Sequence, residues 1–468
     1  MNRLPTRRDV LRGAAALPAA PFVLRQASPN GTLHLACIGV GGRGGAHLEE
    51  ALKGGRVVAL ADVDEKNLAG AVKKAAARGQ TPKTYFDFRR MFDEAGREFD
   101  AVFVAVPDHA HAAAAMRAIR LGKHVYLEKP MCHNLAEVRA LTLAALEKKV
   151  VTQLGNQGHS GEGYRRLVEY LRSGAIGPVR ETHTWMWCTW NFGYGADTGR
   201  PESKPAPAHL HWDEWIGPAP YRDYHDGLHP VAWRGWRDFG TGNLGDFGCH
   251  MLDGAVWALE PGHARTVTAL EMVGGSPERF PRYEVLRWEF PARGEFPPFT
   301  MYWYGGGEKN TNPDLRDLKG RMRQYASRRP WLAEELEQQY GVDLGYMGTL
   351  YVGDKGILYT GASGSNFMSL PPERMKEWPE PPKTIRRIPG NERGHQAEFL
   401  RACRGGEPAN CGFDYAGPLN EIICLGHVAL RMGPGKKLEW DGPSMKFPNA
   451  PEAEAFLRRE CRKGWEIA

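Results

Sequence analysis

Residues 33–62 read LHLACIGVGGRGGAHLEEALKGGRVVALAD, and this stretch decides the fold. Leu33 to Val40 is an apolar run that ends in a glycine turn, Gly39-Val40-Gly41-Gly42-Arg43-Gly44. A helix-like segment from Gly45 to Leu52 follows, and Arg56 to Ala61 forms a second apolar run ending in Asp62. Strand, GxGxxG, helix, strand and acid, in that order and spacing, are the parts of a dinucleotide-binding unit. Gly39 allows the tight turn, Gly41 lets backbone amides approach a pyrophosphate at the positive end of the helix, and Gly44 lets helix and strand pack closely. Gly42 and Arg43 complete the expected cofactor loop. Asp62 can accept hydrogen bonds from the adenosine ribose, and its charge repels a 2′-phosphate, so NAD is expected over NADP.

Two more βα units extend the pattern. Phe99 to Val106 reads as a strand, and Pro107-Asp108-His109-Ala110-His111 leads into an Ala-rich helix. Gly122 to Leu127 reads as the next strand, ending in Glu128-Lys129-Pro130. Strands alternating with helices predict a parallel sheet wound on both faces, with ligands at the carboxyl ends of the strands. Pro107 and Glu128-Lys129 fall at such ends and are expected at the cofactor. His111 either joins them or packs at its helix start.

Beyond Val151 the pattern changes. Tyr164 to Gly174 is an amphipathic helix, and Val179 to Trp187 alternates as a strand with Glu181, His183, Trp185 and Trp187 on one face. That face suits either a sugar ring or a partner subunit. Thr349–Val352 and Ile357–Thr360 are joined by Gly353-Asp354-Lys355-Gly356 as a hairpin. His395 to Arg404 and Leu419 to Arg431 read as helices closing this second domain. Residues 305–345 look like an insertion. The expectation is therefore α/β: a Rossmann domain over 31–152, and an α/β domain over 153–468 built on an open, mostly antiparallel sheet.

Composition narrows the partners. With 468 residues, 25% charged and 42% hydrophobic, the chain is a two-domain globular protein. The formal charge of +6 is concentrated before Ser28, where five arginines face one acid, so the rest gives no case for nucleic acid. Thr6-Arg7-Arg8-Asp9-Val10-Leu11-Arg12 resembles the twin-arginine export motif. An Ala-rich run to Leu24 follows, interrupted by Pro18 and Pro21. Residues 1–30 are expected to be an export signal to the periplasm, with no membrane-spanning segment in the mature chain. The eight cysteines show no CxxC pair and no metal-like cluster, so no metal is expected. Most of them read as buried small hydrophobes.

The chain resembles the Gfo/Idh/MocA oxidoreductases in its glycine turn, Val106-Pro107-Asp108-His109-Ala110-His111, Gly122-Lys123-His124-Val125 and Glu128-Lys129-Pro130. The likeness continues in Asp246-Phe247-Gly248-Cys249-His250, which is similar to the family's Asp-x-x-x-His segment. Trp212 to Pro220 and Trp233-Arg234-Gly235-Trp236 look like its exported bacterial branch. On spacing alone, Asp246 and His250 share one helical face and could equally be a helix cap and a core histidine. The resemblance implies chemistry instead: His250 as base, Lys129 as electrostatic partner and relay, Asp246 as substrate ligand. Oxidising an alcohol needs such a base and a polar group on the reacting oxygen. Asn156 and Gln157, which follow a strand, are expected at substrate or nicotinamide, with His183 and Trp185 as further substrate contacts. The four tryptophans between Trp212 and Trp236 either line a carbohydrate cleft or knit a long loop to the core.

The expected function is oxidation of a hydroxyl on a sugar, glycoside or inositol-like polyol, with tightly bound, recycled NAD in a homo-oligomer. Two alternatives stay open: an NAD-dependent glycosidase or epimerase working by transient oxidation, and a non-catalytic sugar-binding protein. Retention of Lys129, Asp246 and His250 argues against the last.

Overall fold

The computed structural model describes residues 31–186, 199–294, 296–309, 325–326 and 329–467. The expected export signal, Trp187 and part of the 305–345 insertion lie outside them. The first unit alternates β1 (His34–Ile38), α1 (Gly42–Gly54), β2 (Arg56–Ala61), α2 (Glu65–Ala76), β3 (Lys83–Tyr85) and α3 (Phe88–Ala95). It continues through β4 (Ala101–Val104), α4 (His111–Arg120), β5 (His124–Glu128), α5 (Leu135–Lys148) and β6 (Thr152–Gly155). Its six strands lie in the order β3-β2-β1-β4-β5-β6, every neighbouring pair parallel. Strands buried on both faces explain the continuous apolar runs: all four residues of β4 are buried. The sixth strand carries this sheet to Gly155, three residues beyond the expected boundary.

The second unit begins with α6 (Glu162–Arg172) and β7 (Val179–Met186). After a long Trp-rich segment holding the short helix α7 (Trp212–Ile216) come α8 (Gly242–Met251), α9 (Asp253–Leu259), β8 (Thr266–Val273), β9 (Tyr283–Phe290) and β10 (Phe299–Gly306). A two-strand ribbon, β11 (Glu308–Lys309) and β12 (Tyr325–Ala326), precedes α10 (Trp331–Tyr340). Then follow β13 (Met347–Gly353), β14 (Gly356–Thr360), β15 (Met368–Leu370), α11 (His395–Cys403), α12 (Phe413–Met432) and β16 (Lys437–Glu439). The eight-stranded sheet runs β15-β14-β13-β7-β10-β9-β8-β16 and is antiparallel except where β10 lies parallel to β7. Gly353 pairs with Gly356 across the expected hairpin.

Two placements differ from the sequence reading. Helix α11 does not close the second domain. Phe399 packs edge-on against Phe103 and Tyr126 of the parallel sheet, at 5.4 and 5.7 Å between ring centroids, because α11 supplies the apolar cover that sheet still lacks. Within the 305–345 insertion, α10 buries Ala333 and Leu336 against Trp185, Leu350 and Tyr359, on the sheet face turned away from α8.

Among the described residues, no helix is long and apolar enough to cross a membrane, and no His, Cys, Asp and Glu group could hold a metal. The seven described cysteines are free, and six of them are buried.

Candidate active site

The glycine turn has the geometry that the sequence demands. Gly39 sits at φ 74°, and a Cβ there would stand 2.3 Å from the Ala105 carbonyl oxygen. A Cβ on Gly44 would come within 1.9 Å of the Gly39 carbonyl, so helix and strand close up only with glycine. Helix α1 starts at Gly42 behind Gly41, which provides no capping side chain. Its first-turn amides therefore remain a ready anion cradle. Asp62 stands across the turn. Its Oδ2 accepts the Val40 and Gly41 amides (2.7 and 3.3 Å) and its Oδ1 the Asp64 amide (2.9 Å). Burial pushes its carboxyl above the usual range in spite of those donors. The uncapped helix end, the two forced glycines and the acid on the neighbouring strand fit a nicotinamide dinucleotide. Gly39, Gly41, Gly42, Arg43, Gly44 and Asp62 would hold its adenosine and phosphates.

Glu128 is placed differently from its neighbour in sequence. Its Oε1 takes His47 at 2.8 Å, Gln157 at 2.9 Å and Arg43 at 3.4 Å, and its Oε2 takes the Lys129 amide at 3.2 Å. Burial opposes its charge, but His47, Arg43 and Lys129 outweigh it and hold the carboxyl far below the usual range. Glu128 thus braces α1 and the glycine turn from beneath. Gln157 is drawn into the same network and also donates to the Tyr126 hydroxyl (2.9 Å). Pro107 opens the turn after β4. The His111 ring nitrogens face the Pro130 and Val106 carbonyls at 2.6 and 2.9 Å, and burial lowers its pKa to about 4. The packing alternative therefore describes His111: the neutral ring lies between two backbone carbonyls, donates its one N–H to one of them, and ties the two loops together.

The structure brings Lys129, Asp246 and His250 together across the two domains. Lys129 Nζ donates to the Asp246 carbonyl at 2.8 Å and to its carboxylate, and Arg234 holds the other carboxylate oxygen at 3.4 Å. Burial works against the Lys129 charge, yet Asp246 and Glu128 prevail and its pKa is raised. His250 lies one turn along α8. Burial, reinforced by the Lys129 charge, lowers its pKa to about 4, so the ring is neutral at pH 7 and can accept a proton. The Tyr164 hydroxyl donates to the His250 carbonyl.

Two residues that the sequence reading did not single out as site residues join this group. Asp108, in the loop after β4, accepts the Thr241 hydroxyl (2.5 Å) just ahead of α8. Burial pushes its carboxyl up to about 7, against the pull of Thr241, and the Asp246 charge adds to the rise. Arg234 is the second; it lay unremarked inside Trp233-Arg234-Gly235-Trp236. The one advance signal was position, since Asp108 is a carboxylate just past the carboxyl end of a parallel strand.

Asn156 donates to the Cys249 carbonyl at 2.8 Å, and its buried Oδ1 has no hydrogen-bond partner, directly beside α8. His183 and Trp185 are not at this site. Thr184 on β7 meets Thr349, which reaches the Met251 carbonyl of α8, so even-numbered β7 residues face the helices. The odd ones face away: His183 stacks on Tyr302 at 4.8 Å and Trp185 packs under α10.

Residues 33–156 match the profile of an oxidoreductase family's NAD-binding Rossmann fold, and residues 170–271 match the C-terminal alpha/beta domain of the same family. The chain is 32% identical over 153 residues to an inositol 2-dehydrogenase/D-chiro-inositol 3-dehydrogenase of Lacticaseibacillus casei, covering 31% of this chain and 43% of that protein. It is 30% identical over 174 residues to a glycosyl hydrolase family 109 protein of Streptomyces niveus, covering 36% and 34%. The chain thus spans less than half the length of these relatives. Its fold is that of the WlbA dehydrogenase of Bordetella pertussis, solved with NADH and UDP-GlcNAcA, at a TM-score of 0.56 and 13% identity over 88% of this chain and 99% of that one.

Proposed function

We propose that this chain, whose residues 33–156 and 170–271 match the two domain profiles of the Gfo/Idh/MocA oxidoreductases, oxidises a hydroxyl of a sugar or polyol with NAD. NAD, when bound, supplies the hydride acceptor. The protein's own groups handle the proton and the oxygen. The observation that carries the reading is the Lys129–Asp246 pair, bonded across the domain boundary with a neutral His250 one turn away. Lys129, held charged, stabilises the oxygen as it gains negative character. Asp246, fixed between Lys129 and Arg234, accepts a substrate hydroxyl. His250 takes the released proton. Lys129→Ala should lower turnover ~10²–10⁴-fold, the usual contribution of a positioned acid or base, with cofactor affinity nearly unchanged. Near-normal turnover would mean the wrong group.

A finer reading follows from Thr6 to Arg12. An enzyme exported by a twin-arginine signal works where no pool of NAD and NADH exchanges with it. Its cofactor is then held and recycled, and the overall reaction is redox-neutral. Transient oxidation of a ring hydroxyl, followed by epimerisation or eliminative glycoside cleavage, is the second reading, favoured by the likeness to a protein named for glycoside hydrolysis. One experiment separates these. The protein is purified without added NAD, denatured, and its supernatant assayed for dinucleotide; the intact protein is given a glycoside panel while NADH and freed sugar are followed. An empty protein that accumulates NADH only with added NAD would end the redox-neutral reading.

A further inference from the structure

The Trp-rich segment between residues 204 and 240 belongs to the second domain in sequence but is fastened to the first. Its residues 209–211 pair with the corner after β2. The Glu65 amide donates to the His209 carbonyl and the His211 amide to the Val63 carbonyl, both at 2.9 Å, and Leu210 bridges Asp64 in antiparallel fashion. Asp64 is the residue whose amide fixes Asp62, and its carboxylate also meets His229 Nε2 at 3.1 Å. The His211 ring stacks on Phe86, beyond β3, at 3.9 Å.

The same segment is fastened at a second place, the loop after β4. The His109 amide donates to the Phe239 carbonyl (3.1 Å), and His109 Nε2 lies 3.0 Å from the Trp215 carbonyl. Between the two anchors runs an apolar body. Trp212 stacks on Trp215 at 4.7 Å, Trp215 meets Phe239 at 4.9 Å, and Leu210, Trp215 and Phe239 are 5%, 3% and 0% exposed. β2 and β4 are the two neighbours of β1 in the sheet. Their exit loops are the lips of the crevice over the glycine turn, where the adenosine half of a dinucleotide lies.

We propose that residues 204–240 are a cofactor clamp, joining both lips of the dinucleotide crevice so that NAD enters and leaves only when this segment releases the 63–65 corner and His109. The clamp rests on the reading of this crevice as the NAD site. It gives the held cofactor a structural cause in the tertiary contacts of a second-domain loop. His229 and Phe86 are its positioning residues at the ribose corner. The backbone pairs at 63–65 are the latch that must open.

The test uses the whole protein loaded with NADH and chased with excess NAD, with release followed by loss of energy transfer from tryptophan. His229→Ala should release NADH about tenfold faster than the unaltered protein, the change that one lost hydrogen-bonded contact gives. Phe86→Ala alters a 40% exposed ring, so folding is not at stake, and it should also speed release. Hydrogen exchange at the Glu65 and His211 amides should slow when NAD is bound. Unchanged release in both variants, or exchange at 63–65 and 209–211 indifferent to NAD, would overturn the clamp. Sugar oxidation with freely exchanging cofactor would sink the clamp and leave the oxidoreductase reading standing. NAD held and released as described, with no sugar or polyol able to reduce it, would uphold the clamp and sink that reading.

Discussion

Asp108→Asn tests the electrostatics of the site most directly. The Asp108 carboxyl is 5% exposed and is raised from 3.8 to about 7, chiefly by burial. An acid whose folded pKa is raised contributes stability that is complete below its unfolded pKa and is lost as pH rises through the folded one. The window here runs from 3.8 to about 7. At ~1.4 kcal/mol per unit, ionising this group costs the fold on the order of 4 kcal/mol in total, of which about 2 kcal/mol falls between pH 5.5 and 8.5. Asparagine keeps an oxygen for the Thr241 hydroxyl and cannot ionise. Urea unfolding of both proteins at the two pH values is the assay. The variant should gain about 2 kcal/mol on the unaltered protein in going from pH 5.5 to 8.5. Parallel behaviour at the two pH values would refute the placement of Asp108 as a buried, near-neutral acid beside Asp246.

Two further outcomes are expected. Because burial and Lys129 lower the His250 pKa to about 4, its ring is neutral above that value and charged below it. The acid limb of kcat/KM should therefore fall near pH 4 and not near 6.5; a limb at ordinary histidine pH in the folded protein would remove His250 as the base. His183→Ala should leave KM for the sugar within about twofold, since the ring faces away from α8 and stacks on Tyr302. A tenfold rise in KM would contradict the strand facing.

The clamp also changes how the tryptophan run is understood. Sequence left it as a sugar-lining surface or a knitted loop. The packing of Trp215 and Phe239 on His109 makes it a knitted loop, and its anchors give the knitting a use. A lone histidine such as His229 carries no signal in sequence, because its partner Asp64 lies 165 residues earlier.

What the sequence determined by itself is whatever local chain geometry dictates. The β1–α1–β2 unit, its forced glycines and Asp62 are contiguous, and steric rules for one turn fix them. The i, i+4 relation of Asp246 and His250 follows from one helix, and the Gly353–Gly356 hairpin from one turn. Tertiary structure decided whatever depends on which surfaces meet. Alternation along β7 defined two faces, but only the packing of α8 on one and α10 on the other showed that His183 and Trp185 lie away from the site. Glu128 and Lys129 are adjacent in sequence, yet their side chains part, one into a buried cage under α1 and the other across the domain boundary to Asp246. Asp108 acquired its raised pKa only when the second domain closed on the first, and Arg234 its place on Asp246 only when the Trp-rich segment packed beside α8. Desolvation and charge–charge contact are properties of the packed interior, and no spacing of residues along the chain encodes them.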